Sequence, residues 1–319
     1  MRILITGSIA YDYLMTFPGY FKDHLLPEKL ASVSLSFLVD SMTRLRGGIA
    51  PNIGYTLALL GGRPAIMGTV GQDFESEYRP WLNAAGVDTS AVRVVPGVYT
   101  GSFFATTDRA NAQIASFYPG AMGHAASQSL RDLDYRPDLV VISPNSPDAM
   151  RKFIQESKAL GLRYVYDPSQ QLARVSQQEV CEGVDGAWLL VVNDYEYSLI
   201  QKLTCWDEDA LLSHVGVLVV TRGGEGSTIY TEGQRVDIPV VPTDRILDPT
   251  GVGDAFRGGL LRGIMGGWPW KLCGETGALA ATYCLEQTGP QNHTFTRAEF
   301  VERFRQHFND IGRLDELLA

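Results

Sequence analysis

The chain has 319 residues, of which 45% are hydrophobic and 20% charged, enough apolar material for the core of one large domain or two. Its net charge of −9 argues against a general nucleic-acid surface, which needs basic patches, but leaves room for a small anionic ligand. No apolar run reaches the ~18 residues of a membrane span, the N-terminal stretch is too short for a signal peptide, and four cysteines without a C-x-x-C pair read as reduced thiols, so a cytoplasmic protein is expected.

Taken in order, Arg2–Thr6 is a short apolar run closed by Gly7-Ser8, hence a buried strand, with Asp12 arriving a few residues past its end. Leu30–Val39 alternates Val33, Leu35, Phe37 and Val39 with serines, the period of a half-exposed strand. Arg44–Asn52 reads as a glycine-bearing turn into a helix at Ile53–Leu60, stopped by Gly61-Gly62. A strand near Ala65–Val70 and a helix near Glu75–Ala85 follow. Tyr99–Thr107 and Ala112–Tyr118, joined by the polar turn Asp108–Asn111, read as a hairpin. With Leu30–Val39 they predict a small β-sheet set apart from the main body.

From Asp138 the alternation becomes regular. Leu139–Ser143, Arg163–Tyr166, Trp188–Val192 and Val217–Val220 are apolar strands, separated by helices at Asp148–Leu160, Tyr195–Leu203 and Glu208–His214. That spacing means parallel strands with right-handed crossovers. Ser227–Tyr230 and Val236–Val241 form a closing antiparallel pair. Helices at Ala255–Met265, Lys271–Leu285 and Thr296–Phe308 end the chain, the last opening with a capping box, Thr296-x-x-Glu299. No linker is long enough for two independent domains, so one domain over 1–319 is expected.

Ligands of an open α/β sheet bind at the carboxyl ends of its strands, and those ends are polar here. Ser8 and Asp12 follow the first strand, Asp167–Gln171 another, Asn193–Glu196 the next, and Thr221–Gly226 the one after. Asn193 and Glu196, at i and i+3, offer hard oxygens to a magnesium ion held through water. The glycines among Thr221–Gly226 admit a nucleotide close to the backbone. Asp12, with Gly47, Gly48 and Asn52, suits neighbouring sugar hydroxyls. The stretch Asp248-Pro249-Thr250-Gly251-Val252-Gly253-Asp254 leads into a helix and reads as an anion cradle with an acid in its mouth. Alone, it equally suits a left-handed turn whose aspartate caps the helix. With the other strand ends it reads as phosphoryl transfer to an alcohol, Asp254 acting as base. The P-loop motif is missing, as is the third glycine of the dinucleotide fingerprint.

These motifs resemble the ribokinase superfamily, the PfkB carbohydrate kinases. Gly47-Gly48-x-x-x-Asn52 resembles the first signature, Asp248–Asp254 the second and Asn193-x-x-Glu196 the magnesium motif. Within it, Thr6–Ala10, Val33–Asp40, Gln113–Met122 and Asp167–Arg174 are similar to adenosine kinases of the actinobacterial type. The resemblance implies a doubly wound, mainly parallel sheet flanked by helices, with a β-sheet lid at about 13–45 and 97–120. It implies ATP, Mg²⁺ and a monovalent cation such as K⁺ near Asp248 and Thr250. It places Gly251, Val252 and Gly253 in an anion hole beside the base, and Asp12, Gly47, Gly48 and Asn52 on the ribose. Ser8, Ser36, Gln170 and Gln171 come near the nucleoside, with Phe103 and Phe117 as aromatic walls. Asn193, Thr221, Gly223, Gly224 and Gly226 line the ATP side. Arg174 reaches the phosphate or stays a solvated arginine. Pro51 and Phe104 depart from the pattern, and Phe104 leaves open which phenylalanine faces the base. The activity implied is transfer of the γ-phosphoryl group of ATP to the 5′-hydroxyl of adenosine. Another nucleoside, ribose or a fructose derivative is the alternative substrate, and a non-catalytic nucleoside sensor the alternative role. Neither nucleic acid nor membrane is an expected partner. The apolar face Val33, Leu35, Phe37 and Val39 predicts a homodimer through the lid.

Overall fold

A computed structural model describes residues 1–24 and 35–319. The chain opens with β1 (Ile3–Thr6), crosses to β2 (Ala10–Thr16) and β3 (Ser41–Gly47), and returns through α1 (Ile49–Leu59) to β4 (Ala65–Val70). Next come α2 (Tyr78–Ala84), β5 (Val92–Val94), and the hairpin β6 (Gly101–Thr107) and β7 (Gln113–Tyr118). A βα alternation then runs through β8 (Leu139–Ile142), α3 (Pro147–Ala159), β9 (Arg163–Tyr166), α4 (Gln177–Val184), β10 (Leu189–Asn193), α5 (Asp194–Thr204), α6 (Glu208–His214) and β11 (Val217–Thr221). The antiparallel β12 (Ser227–Thr231) and β13 (Gln234–Ile238) and the helices α7 (Val252–Met265), α8 (Trp270–Leu285) and α9 (Arg297–His307) complete it.

Nine strands form one sheet in the order β13-β12-β11-β10-β9-β8-β1-β4-β5, parallel from β11 to β5. Its central strands are largely apolar because both faces are covered, with Thr6, Asn193 and Thr221 at the carboxyl ends of β1, β10 and β11. Odd and even side chains enter different cores. Ile3, Ile5, Val141, Val191 and Val219 join one with helical residues such as Ile53, Leu260, Leu279 and Phe300. Leu4, Val140, Leu190 and Leu218 join the other with Phe153, Val180, Ile200 and Leu211. The expected doubly wound sheet is therefore present. Strand order reverses at β1, which pairs with β4 on one side and β8 on the other, so the crevice for a ligand lies at the carboxyl ends of β1 and β8. No helix among the described residues is long and apolar enough to cross a membrane.

The small sheet has the order β3-β2-β6-β7, and here the sequence reading needs correction. The strand expected at Leu30–Val39 lies partly outside the described residues, and 35–39 are irregular. Their alternation serves packing instead: the Phe37 ring lies 4.9 Å from that of Phe17 and 5.1 Å from that of Phe21. The edge strand is β3, which absorbs the first half of the turn expected at Arg44–Asn52. Asp12, a few residues past the end of β1 as expected, sits within β2. Helix α1 starts at Ile49, four residues early, with Pro51 inside its first turn, where a missing N–H costs nothing. Strand β5 and helix α4 were not anticipated.

Candidate active site

At the entry to α7 the backbone turns through Gly251, whose φ of 78° favours glycine. A Cβ at this position would also lie 2.3 Å from Pro290 Cβ. The Asp248 carboxylate pins this turn, accepting from the N–H of Thr250 at 2.8 Å and of Gly289 at 2.9 Å. Beyond the turn, the N–H groups of Gly253 and Asp254 have no partner among the described residues. Open N–H groups at the positive end of a helix of 14 residues attract an anion.

Asp254 itself is buried. Asn52 Nδ2 donates to its Oδ2 at 2.8 Å, and Arg257 lies 3.6 Å from its Oδ1. Burial raises its carboxyl to about 6, with Arg257 and the Asn52 amide holding it back. It is thus an acid that is ionised at neutral pH and close enough to neutrality to accept a proton. The helix-capping alternative fails, because the Asp254 side chain caps no backbone N–H of α7.

Arg257 was missed in the sequence. It stands one turn after Asp254 and donates to Asp167 Oδ1 at 2.6 Å. Burial pushes the Asp167 carboxyl up and Arg257 opposes that push, while Asp167 Oδ2 has no partner among the described residues. Arg257 remains charged because Asp167, Asp254 and Glu196 outweigh the effect of its burial. One guanidinium thus pairs with two carboxylates, Asp167 and Asp254. The spacing of Arg257 from Asp254 was the signal available for finding it.

The small sheet presents a second group. Register places Leu45, Asp12, Phe103 and Phe117 side by side across β3, β2, β6 and β7, hence on one face. Tyr13 and Phe104 occupy the opposite face, with rings stacked 4.8 Å apart. Of the two phenylalanines, Phe103 therefore shares Asp12's face. Burial raises the Asp12 carboxyl to about 6, assisted by the negative charges of Asp248 and Asp254. A Cβ on Gly47 would stand 2.5 Å from Asp12 Oδ2, so a side chain there would displace the Asp12 carboxylate. Gly48, with φ 94°, precedes α1, and Ser8 fastens the helix start by accepting from Ile49 N at 3.2 Å.

The remaining residues separate. Asn193 and Glu196 form a reciprocal capping box on α5: Glu196 N donates to Asn193 Oδ1 at 2.8 Å and Asn193 N to Glu196 Oε2 at 2.9 Å. This leaves Glu196 Oε1 for a hydrated cation, which fits magnesium held through water beside phosphates. Thr221 ends β11, and added side chains at Gly223 and Gly224 would meet nothing within 4 Å, so this loop is open. Gly226 is closed, its would-be Cβ 2.2 Å from Ile238 O. Gln171 is buried with Oε1 unpartnered among the described residues, whereas Gln170 is exposed and accepts from Ser169 Oγ at 2.8 Å. Ser36 and Arg174 are exposed, and no side-chain hydrogen bond among the described residues ties either to Asp254 or Asp12.

The pfkB family carbohydrate kinase model matches residues 10–297. A nucleoside kinase of Methanocaldococcus jannaschii is 29% identical over 96% of this chain and 97% of its own. The solved nucleoside kinase of Burkholderia thailandensis in complex with inosine is 38% identical, with a TM-score of 0.85 over 96% of this chain and 98% of its own. The same enzyme in complex with ADP-inosine is 39% identical, with a TM-score of 0.83 over 96% of each chain.

Proposed function

Because the chain belongs to the pfkB family of carbohydrate kinases, we propose that it is an ATP-dependent nucleoside kinase that phosphorylates the 5′-hydroxyl of adenosine, yielding AMP and ADP. The observation that carries the reading is the placement of Asp254, buried, ionisable near neutrality and set beside two helix N–H groups that have no partner among the described residues. Asp254 takes the proton of the attacking hydroxyl. The N–H groups of Gly253 and Asp254, at the start of α7, hold the transferring phosphoryl oxygens as negative charge moves between donor and acceptor. Asp12, Gly47, Gly48 and Asn52 orient the ribose, Phe103 and Phe117 wall the base, and Ser8 and Gln171 stand near it. Gln170 and Ser36 belong to the same surface only if the small sheet closes. That sheet acts as a lid, and its closure excludes water from the donor.

On the ATP side, Thr221, Gly223 and Gly224 bound an open loop for the nucleotide. Asn193 and Glu196 would hold Mg²⁺ through water, and its charge would offset the phosphates. Asp248 and Thr250 shape the loop that would take a monovalent cation. Two copies pair through their lids, where Leu35, Leu38, Met42 and Ile114 are exposed, Leu38 at 86%.

A second reading, inosine as acceptor, is favoured by the Burkholderia thailandensis enzyme in complex with inosine. The deciding measurement is ADP release with adenosine, inosine, guanosine, cytidine and ribose at equal concentration. Adenosine turning over fastest supports the reading, inosine fastest moves it to the second, and ribose or cytidine fastest overturns both.

A further inference from the structure

The Asp254 carboxylate is the end of a hydrogen-bond chain that runs back to the lid. Asn52 Nδ2 donates to Asp254 at 2.8 Å. Gln291 Nε2 donates to Asn52 Oδ1 at 2.6 Å and to Tyr78 Oη at 2.6 Å. Tyr78 Oη donates to the carbonyl of Gly47, the last residue of β3, at 2.8 Å. Asn52, Gln291 and Tyr78 are all buried.

Each donor direction is forced. An ionised carboxylate only accepts, so Asn52 must turn its NH₂ toward Asp254 and its oxygen toward Gln291. Gln291 must then offer its own NH₂, which has two protons and finds two acceptors. Its Oε1 has no partner among the described residues. The segment around Gln291 is held at both ends: Gly289 N donates to Asp248 at 2.9 Å, and Tyr55 Oη donates to the His293 carbonyl at 2.7 Å. His293 Nε2 lies 3.0 Å from Thr56 Oγ1, and burial lowers this imidazole to about 4, so it is neutral.

We propose that Gln291 is a positioning residue for phosphoryl transfer: it locks the Asn52 amide with its donor toward Asp254 and joins that amide, through Tyr78, to the lid strand at Gly47. The proposal rests on the reading of Asp254 as the base. Without Gln291, the Asn52 Oδ1 loses its side-chain donor, and the amide is oriented by its bond to Asp254 alone. The other titratable or charged groups facing Asp254 are Arg257 on the same helix, Asp12 on β2, Asp167 after β9 and Cys284 on α8. None of them donates to Asp254 Oδ2.

The test compares Gln291→Met and Gln291→Glu with the unaltered enzyme in kcat, KM and the pH profile of kcat/KM, with melting temperature as the folding control. Methionine fills the space without donating, and an ionised glutamate only accepts. Both variants are expected to lower kcat by about tenfold or more, to change nucleoside KM little, and to move the acid limb of the profile up by about one pH unit. Unchanged kcat, or a fall in kcat with the acid limb in place, overturns the proposal. So does failure of both variants to fold, which would make Gln291 a core residue. An acid limb that persists in Asp254→Asn instead removes Asp254 from the base role, a failure separable from that of Gln291.

Discussion

Two adjacent phenylalanines on β6 point to opposite faces of the small sheet, and the proposed function gives them different expected contributions to binding. Phe103 stands in register with Asp12 and Phe117, while Phe104 stacks on Tyr13 behind them. Truncating Phe103 to alanine removes a surface against which a purine can stack. Such stacking is worth roughly 1–3 kcal/mol per base, so nucleoside Kd should rise by about 5- to 140-fold. Truncating Phe104 removes its contact with Tyr13, which supports the lid from the other side. A residue already 37% exposed loses little on truncation, so nucleoside Kd should stay within about threefold. Titration calorimetry with adenosine on Phe103→Ala and Phe104→Ala measures both, and melting temperature controls for the fold. Equal weakening by the two variants, or a larger effect at Phe104, would refute the assignment of faces and the lid recognition built on it.

The remaining predictions concern the base and the assembly. Burial holds the Asp254 carboxyl at about 6, and a base works only when deprotonated, so kcat/KM should fall as pH drops through about 6. Asp254→Asn should lower kcat by about 10²- to 10⁴-fold and abolish that limb while nucleoside binding is kept; turnover within a few fold of the unaltered enzyme would contradict it. Light scattering at micromolar concentration should give the mass of two chains, and Leu38→Lys with Met42→Lys should give that of one. A single-chain mass for the unaltered protein would refute pairing through the lids.

The parts of this fold that were legible in the sequence are those where burial dictates composition. Val140, Leu190 and Leu218 alternate between two cores with Val141, Val191 and Val219, so their strands are apolar up to their carboxyl ends and stand out. The small sheet is covered less evenly. Strand β2 reads Ala-Tyr-Asp-Tyr-Leu-Met-Thr and β3 is largely exposed, so neither shows a clean period of two. Residues 35–39 show one and are irregular, because Phe37 packs on aromatic rings rather than pairing as a strand. In the site, Asp254, Asp12, Asn52 and the glycines were visible because local turn chemistry and strand ends mark them. Arg257 was marked only by its spacing from Asp254, and its partner Asp167 lies 90 positions away. Gln291 meets Asn52 across 239 positions, a contact that tertiary packing alone creates.

The lid enters the chain as two separate excursions, β2 with β3 and β6 with β7, while β1 pairs directly with β4 and β8 without them. On the proposed reading, the walls of the base, Phe103 and Phe117, and the acid Asp254 are therefore written on different lengths of chain. A protein built this way can exchange its acceptor by redrafting the excursions while α7 and its two partners, Asp167 and Asn52, stand unchanged. The seam at Gly47 sets the limit on that freedom. There β3 rejoins the main body, with no room for a side chain beside Asp12 and with its carbonyl held by Tyr78. Redesign of specificity should accordingly be tolerant along the lid strands and intolerant at that one residue.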